Sequence, residues 1–318
     1  MFRQALIMFL FVLFFAFICL SSTAKAGYIY PPHHTTGRSM FVWHKSAVDT
    51  TTEQAALVSF CQSNKINVVL ISIYDWIGRY SWSTSNVDGL KALVSGLKSA
   101  GIGVYAVAGN SDWTIIQNWV KRTVLEPVRQ YQTQATNKEQ FDGFVFDVEY
   151  FVPDNNPQLH VPLMCNLMKD TRSILGLPVG LWAPWWQITN DRSTGLVTYD
   201  GVSAPEGVHW MRVADMVFVG AYSDLAESAG SQQGQMSMME QWVSHCNVDS
   251  KRTAVWATSE TKNISSDWQS YYEEDVVYME YQHELIADFF MDEDLYGSTC
   301  FVGQSIHYYD SYRYMSGF

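Results

Sequence analysis

Eight short runs rich in β-branched and aromatic residues recur along the chain, at Met40–His44, Val68–Tyr74, Gly103–Ala108, Phe141–Glu149, Val179–Trp185, Met216–Tyr222, Thr253–Thr258 and Phe301–Tyr309. Near-continuous apolarity over so few residues predicts strands covered on both faces. Between them, apolar residues return at three- and four-residue intervals, the period of a helix. Leu90, Leu93, Val94 and Leu97 share one face of a predicted helix over Val87–Ala100, which Gly101 ends. The same spacing predicts helices over Glu53–Asn64, capped from Thr50-Thr51-Thr52, and over Trp113–Thr133, Leu159–Leu175, Gln233–Cys246 and Tyr271–Phe290.

Strand and helix alternate at intervals of roughly 30–50 residues, the rhythm of a (β/α)8 TIM barrel. A single such domain over residues 27–318 is the expectation. The competing architecture, an open doubly wound sheet, needs a glycine-rich phosphate turn after its first strand. The stretch "WHKSAVDTTTEQ" contains no glycine. Only residues 310–318 follow Tyr309, so the final helix is expected to be truncated or missing.

The first 26 residues break the pattern. Arg3 leads into an apolar run from Ala5 to Leu20, then Ser21-Ser22-Thr23-Ala24-Lys25-Ala26. This predicts a secretory leader cut between Ala26 and Gly27. The run is short against the about 20 residues of a membrane span, and Ile18 before Cys19 is not the small residue of a lipoprotein signal. The expectation is a secreted chain, extracellular or periplasmic, monomeric and without a stable membrane anchor after cleavage. Its formal charge of −12, lacking basic clusters, argues against nucleic acid or an anionic membrane as partner.

Export changes the reading of the cysteines. Cys61, Cys165, Cys246 and Cys300 remain after cleavage, none in a CxxC pair that would suggest zinc. A Cys61–Cys300 disulfide, beside the first and last strands, is one expectation, and four buried thiols the other. Asn263-Ile264-Ser265 is the only glycosylation sequon. His33-His34 is expected to be exposed near the mature N-terminus. No HxH, HExxH or spaced Asp/His set is present, so no metal and no other cofactor is expected.

The candidate chemistry starts in "FDGFVFDVEY", residues 141–150. Carboxylates are costly in a dry core. Alternation along a strand places Gly143, Val145, Asp147 and Glu149 on one face and Phe144, Phe146 and Val148 on the other. The acidic face then points into the barrel, with Glu149 at the C-terminal mouth where barrel active sites lie. Two carboxylates so close resist joint ionisation, which pushes one pKa toward that of an acid catalyst.

This stretch resembles the fourth-strand motif of the family 18 glycoside hydrolases, the chitinase family, Asp-Gly-x-Asp-x-Asp-x-Glu. Here it reads Asp142-Gly143-Phe144-Val145-Phe146-Asp147-Val148-Glu149, with Val145 in place of an aspartate. The family's sixth-strand Met-x-Tyr-Asp is similar to "AYSDL", which offers Tyr222 and Asp224. Its eighth strand usually ends in tryptophan, whereas this one reads "SIHYYD". The resemblance implies that Glu149 protonates the leaving glycosidic oxygen. Asp147 would orient the substrate's acetamido group, itself the nucleophile, and Tyr222 would hydrogen-bond its oxygen. Such a route departs from the two-carboxylate glycosidase.

A second constellation puts Glu260 at the end of the seventh strand in "RTAVWATSE", sharing a face with Trp256 and Thr258. Retaining barrel glycosidases pair acids from strands four and seven. Glu260 as a surface carboxylate after the strand is the bland alternative. Aromatic residues at strand ends, Trp43, Tyr74, Trp76, Trp182, Trp185, Trp186 and Tyr308, supply flat faces for the C–H surfaces of a sugar ring. His44 and His307 also fall near the expected mouth. The sequence therefore supports a glycoside hydrolase acting on an oligo- or polysaccharide, a sugar-binding barrel that has lost catalysis, or, with only His44 and Asp75 in its favour, a metal-assisted hydrolase such as a phosphodiesterase.

Overall fold

The apolar runs pair side by side, each parallel to its neighbours, until the sheet closes. The computed structural model describes residues 37–78, 81–189, 195–248, 253–292 and 300–317. The leader, its cleavage point before Gly27 and His33-His34 lie outside the described residues. The strands are β1 Gly37–Val42, β2 Val68–Ser72, β3 Gly103–Ala108, β4 Gly143–Phe146, β5 Val179–Pro184, β6 Val197–Tyr199, β7 Val202–Ala204, β8 Met216–Gly220, β9 Ala254–Glu260 and β10 Phe301–His307. The closed barrel runs β1-β10-β9-β8-β5-β4-β3-β2, and β6 pairs with β7 separately. This is the expected TIM barrel.

The helices are α1 Thr51–Ser63, α2 Tyr74–Ile77, α3 Thr84–Ser99, α4 Gln117–Val120, α5 Glu126–Gln134, α6 Pro157–Leu175, α7 Glu206–Val213, α8 Gln235–Val248, α9 Val276–Met291 and α10 Tyr309–Tyr312. The last is a single turn, the truncated final helix. Thr50 caps α1 through a reciprocal box with Glu53. Pro127 cannot donate its backbone N–H, and a π turn over Lys121–Leu125 joins α4 to α5 just before it. None of the described helices is long and apolar enough to cross a membrane.

Alternation along each strand builds two cores. Met40, Val42, Val69, Ile71, Phe144, Phe146, Val217 and Val219 pack outward under the helices. Phe41, Leu70, Val107, Val145, Phe218 and Trp256 are also buried but lie on the other strand face. Phe218 stacks on Trp256 with centroids 5.7 Å apart and meets Phe41 edge-on at 5.7 Å. The bore is thus packed, and only the strand ends above it are open to chemistry.

Two features differ from expectation. The β6–β7 hairpin and α7 were not predicted. Asp200 and Gly201, at φ 53° and 74°, form the two-residue turn of the hairpin, since Tyr199 pairs directly with Val202. Asp-Gly between β-formers is a hairpin signal. The disulfide is Cys246–Cys300, with Cα atoms 6.1 Å apart, not Cys61–Cys300. Cys61 faces inward from α1 and is fully buried. It and Cys165 remain thiols, which burial pushes up to about 12.

Candidate active site

β4 ends at Phe146, and the chain continues through Asp147, Val148 and Glu149 without regular structure. The Asp147 N–H still donates to the Ala108 carbonyl at 3.1 Å, so the inward alternation is carried past the strand. Gly109 makes that approach possible: a Cβ there would lie 1.6 Å from the Asp147 carbonyl oxygen. Val145, one step down the same face, is fully buried and apolar.

Asp142, the first acid of the motif, serves elsewhere. Its Oδ2 accepts the Val104 N–H at 2.9 Å and its Oδ1 accepts Lys98 Nζ at 2.7 Å. It clips β4 to β3 at the opposite end of the barrel. Asp215 repeats the device, accepting the Val179 N–H at 2.8 Å and pairing with Arg172.

Asp147 and Glu149 are half-buried, and neither carboxylate hydrogen-bonds to a described residue. Burial raises Asp147 and the charge of Glu149 raises it further, to about 7. Burial also raises Glu149. Glu149 therefore ionises first, and the last proton of the pair stays on Asp147.

Glu260 is the opposite kind of carboxylate. It is 5% exposed, and Oε1 accepts the Thr261 and Lys262 backbone N–H groups at 2.9 and 2.8 Å. Oε2 accepts from His307 Nδ1 at 2.7 Å. Both of its oxygens are engaged in holding structure. It is no surface carboxylate.

Tyr222 lies within electrostatic reach of both groups. Its phenol is driven far up by burial, then by Glu260, Asp147 and Glu149, which places all three acids around it. Its ring lies 6.0 Å from Trp182 and 6.2 Å from His307. The Trp182 N–H is directed at the Tyr222 hydroxyl strongly enough to oppose its rise. It does not reach hydrogen-bond geometry and is buried without a partner. Gly220 gives Trp182 its place, since a Cβ there would sit 2.5 Å from the indole.

The remaining predicted residues divide. Trp43 donates its indole N–H to His307 Nε2 at 2.7 Å. Tyr308 is half-buried beside His307 and meets His44 edge-on at 5.6 Å. Tyr74 is 43% exposed at the start of α2. Trp186 meets Phe151 edge-on at 5.1 Å, next to the Glu149 loop. Trp185 packs on the outer core, and its carbonyl accepts the Trp242 N–H. Trp76 is 1% exposed with Lys45 over its ring, which removes it from the sugar-facing set: α2 turns it inward under the helical layer. Asp224 is not brought to the carboxylate pair; it accepts from Gln232 and belongs with Glu273, Glu274 and Tyr271.

His307 was not assigned a role from sequence, and Gly109 was not noticed. For His307 the signal was its place in "SIHYYD", two residues beyond Ser305 on the same strand face as the mouth. Among the described residues no group of three or more His, Cys, Asp and Glu is placed to hold a metal ion.

No family model matches the chain, and no curated protein does. Solved structures do. A chitinase from Rhizomucor miehei superposes with a TM-score of 0.51 at 11% identity over 86% of this chain and 95% of its own. The glycoside hydrolase domain of PgaB (BpsB) from Bordetella bronchiseptica gives 0.52 at 11% identity, over 88% and 95%. GH5_18 from Streptomyces cattleya, solved in complex with GlcNAc, gives 0.54 at 13% identity, over 86% and 70%. The chain shares their barrel. At these identities the likeness establishes the fold, and function rests on the mouth described above.

Proposed function

We propose that this chain is a glycoside hydrolase whose acid chemistry comes from the Asp147–Glu149 pair. The observation that carries the reading is the state of that pair. Both carboxylates face the mouth, both are raised by burial, and no described residue satisfies either. A structural carboxylate in this barrel looks like Asp142, Asp215 or Glu260, each held by backbone N–H groups. Two acids held by no protein group and sharing a proton near pH 7 are suited to proton transfer.

Glu149, outermost on the chain and least held, is the residue to meet a leaving glycosidic oxygen. Asp147 holds the proton at rest; when a substrate oxygen covers Glu149, the protonation of the pair shifts through solvent to the outer residue, which becomes the donor. The resemblance to family 18 supports a substrate acetamido group as nucleophile, received by Tyr222. The alternative nucleophile, Glu260, is disfavoured because its oxygens already hold three N–H groups.

A sugar-binding barrel without catalysis is the second reading, favoured by Val145 where the family has an acid. The Cys246–Cys300 disulfide supports an oxidising compartment, and with it the reading of Met1–Ala26 as a leader. The test is a screen of the chain from Gly27 onward on aryl glycosides and polysaccharides, chitin oligomers included. Release of the aglycone or shortened oligomers is the expected result. Binding without turnover across the panel would favour the second reading.

A further inference from the structure

We infer that His307 is a positioning residue that fixes Trp43 as an aromatic face of the mouth. The inference rests on the mouth being the sugar site proposed above. Trp43 lies beyond the end of β1, whose ladder with β10 runs from Gly37↔Gly303 to Met40↔Ile306. No strand hydrogen bond holds the ring, so something else must. One face is covered by Phe41, stacked at 5.5 Å and 16°. The edge is held by His307, whose Nε2 lies 2.7 Å from the Trp43 Nε1.

An indole N–H can only donate, so Nε2 of His307 is the acceptor and the imidazole proton sits on Nδ1. That proton goes to Glu260 Oε2 at 2.7 Å. Glu260 is itself anchored by the Thr261 and Lys262 N–H groups. The chain of constraint runs from backbone to Glu260, from Glu260 to His307, and from His307 to Trp43. Each link leaves the next with one orientation. Trp43 is half-buried, with Phe41 on one face and its N–H engaged, so its other face is left for a ligand. The His307 ring also lies 6.2 Å from that of Tyr222, which sets the fixed Trp43 ring among the residues of the mouth.

The test uses 15N-tryptophan-labelled protein, with the Trp43 indole signal assigned by its loss in Trp43→Phe. In the wild type the Trp43 N–H should exchange slowly with solvent. His307→Phe keeps a ring but removes the acceptor, and should speed that exchange at least tenfold. His307→Gln offers an amide that can accept from Trp43 and donate to Glu260, and should restore slow exchange. Calorimetry with tri-N-acetylchitotriose supplies the functional arm. Affinity should fall about 5- to 50-fold in His307→Phe and in Trp43→Ala, and no further in the double variant, because both remove one ordered ring. His307→Gln should recover most of it. Unchanged exchange in His307→Phe, or additive losses in the double variant, would overturn the inference. If the wild type takes no chitotriose, the proposed sugar site fails for that glycan, while the exchange measurement still decides whether His307 positions Trp43.

Discussion

Asp147 and Glu149 are two residues apart, both half-buried, yet they are not equivalent. The ionised Glu149 acts on Asp147, so Asp147 titrates last, at about 7. Alternation shows that the two carboxylates share a face but not which is buried more deeply, so the sequence says only that one of them is raised. The asymmetry has a consequence for stability. The folded state holds the Asp147 proton more tightly than the unfolded chain, whose value is 3.8. That group's contribution is greatest below about pH 4 and is lost as the pH rises to about 7. Asp147→Asn cannot lose the proton-bound form. It should therefore stabilise the protein by about 1–3 kcal/mol at pH 8, after allowance for partial exposure, and gain little at pH 4. Thermal unfolding at the two pH values checks this; an equal shift at both would contradict the assigned shift. In the wild type, turnover should fall as the pH rises through about 7, when the pair becomes fully ionised. In Asp147→Asn that fall should move to lower pH, because only the more modestly raised Glu149 is left to titrate.

At the scale of the element, β4 carries three acids with different tasks. Asp142 clips the start of the strand to β3, and Asp147 and Glu149 follow its end. Nothing in the pattern of residues separates them, since a clip and a catalytic acid differ only in which backbone N–H lies opposite, and that depends on the neighbouring strand's register. Asp142→Ala should cost about 1–3 kcal/mol through the orphaned Val104 N–H and the lost Lys98 pair. It should leave the turnover of folded protein unchanged, which separate unfolding and rate measurements would show. A large loss of turnover without loss of stability would return Asp142 to the site. The periodicity located all eight barrel strands, because burial on both faces leaves an apolar run that local pattern can show. The strand ends were less legible: Trp76 reads as a rim aromatic until α2 is seen to turn it inward. The β6–β7 hairpin was missed, because its one signal is the Asp200-Gly201 turn in a stretch too short for periodicity to register.

At the scale of the molecule, the barrel brings together residues from six strands that are far apart in sequence: Trp43, Asp147 and Glu149, Trp182, Tyr222, and the Glu260–His307 couple. Closure of β1 on β10 is what puts Trp43 against His307, and no local reading of "FVWHK" or "SIHYYD" contains that contact. The same long-range packing chose the disulfide. Cys246 lies in the last turn of α8 and Cys300 precedes β10, so the bridge ties the last barrel strand to a helix 54 residues earlier. Replacing both by Ser should lower stability by about 4 kcal/mol on loop-closure grounds, seen as a reduced unfolding midpoint without change in the chemistry of the mouth. An unchanged midpoint would contradict the pairing. The central claim is tested most directly by the turnover of Glu149→Gln on whichever glycoside the wild type cleaves. The side chain keeps its outline and loses the proton it would donate. The account predicts a fall of roughly 10²–10⁴-fold in kcat with substrate binding retained, and full turnover in this variant would contradict it.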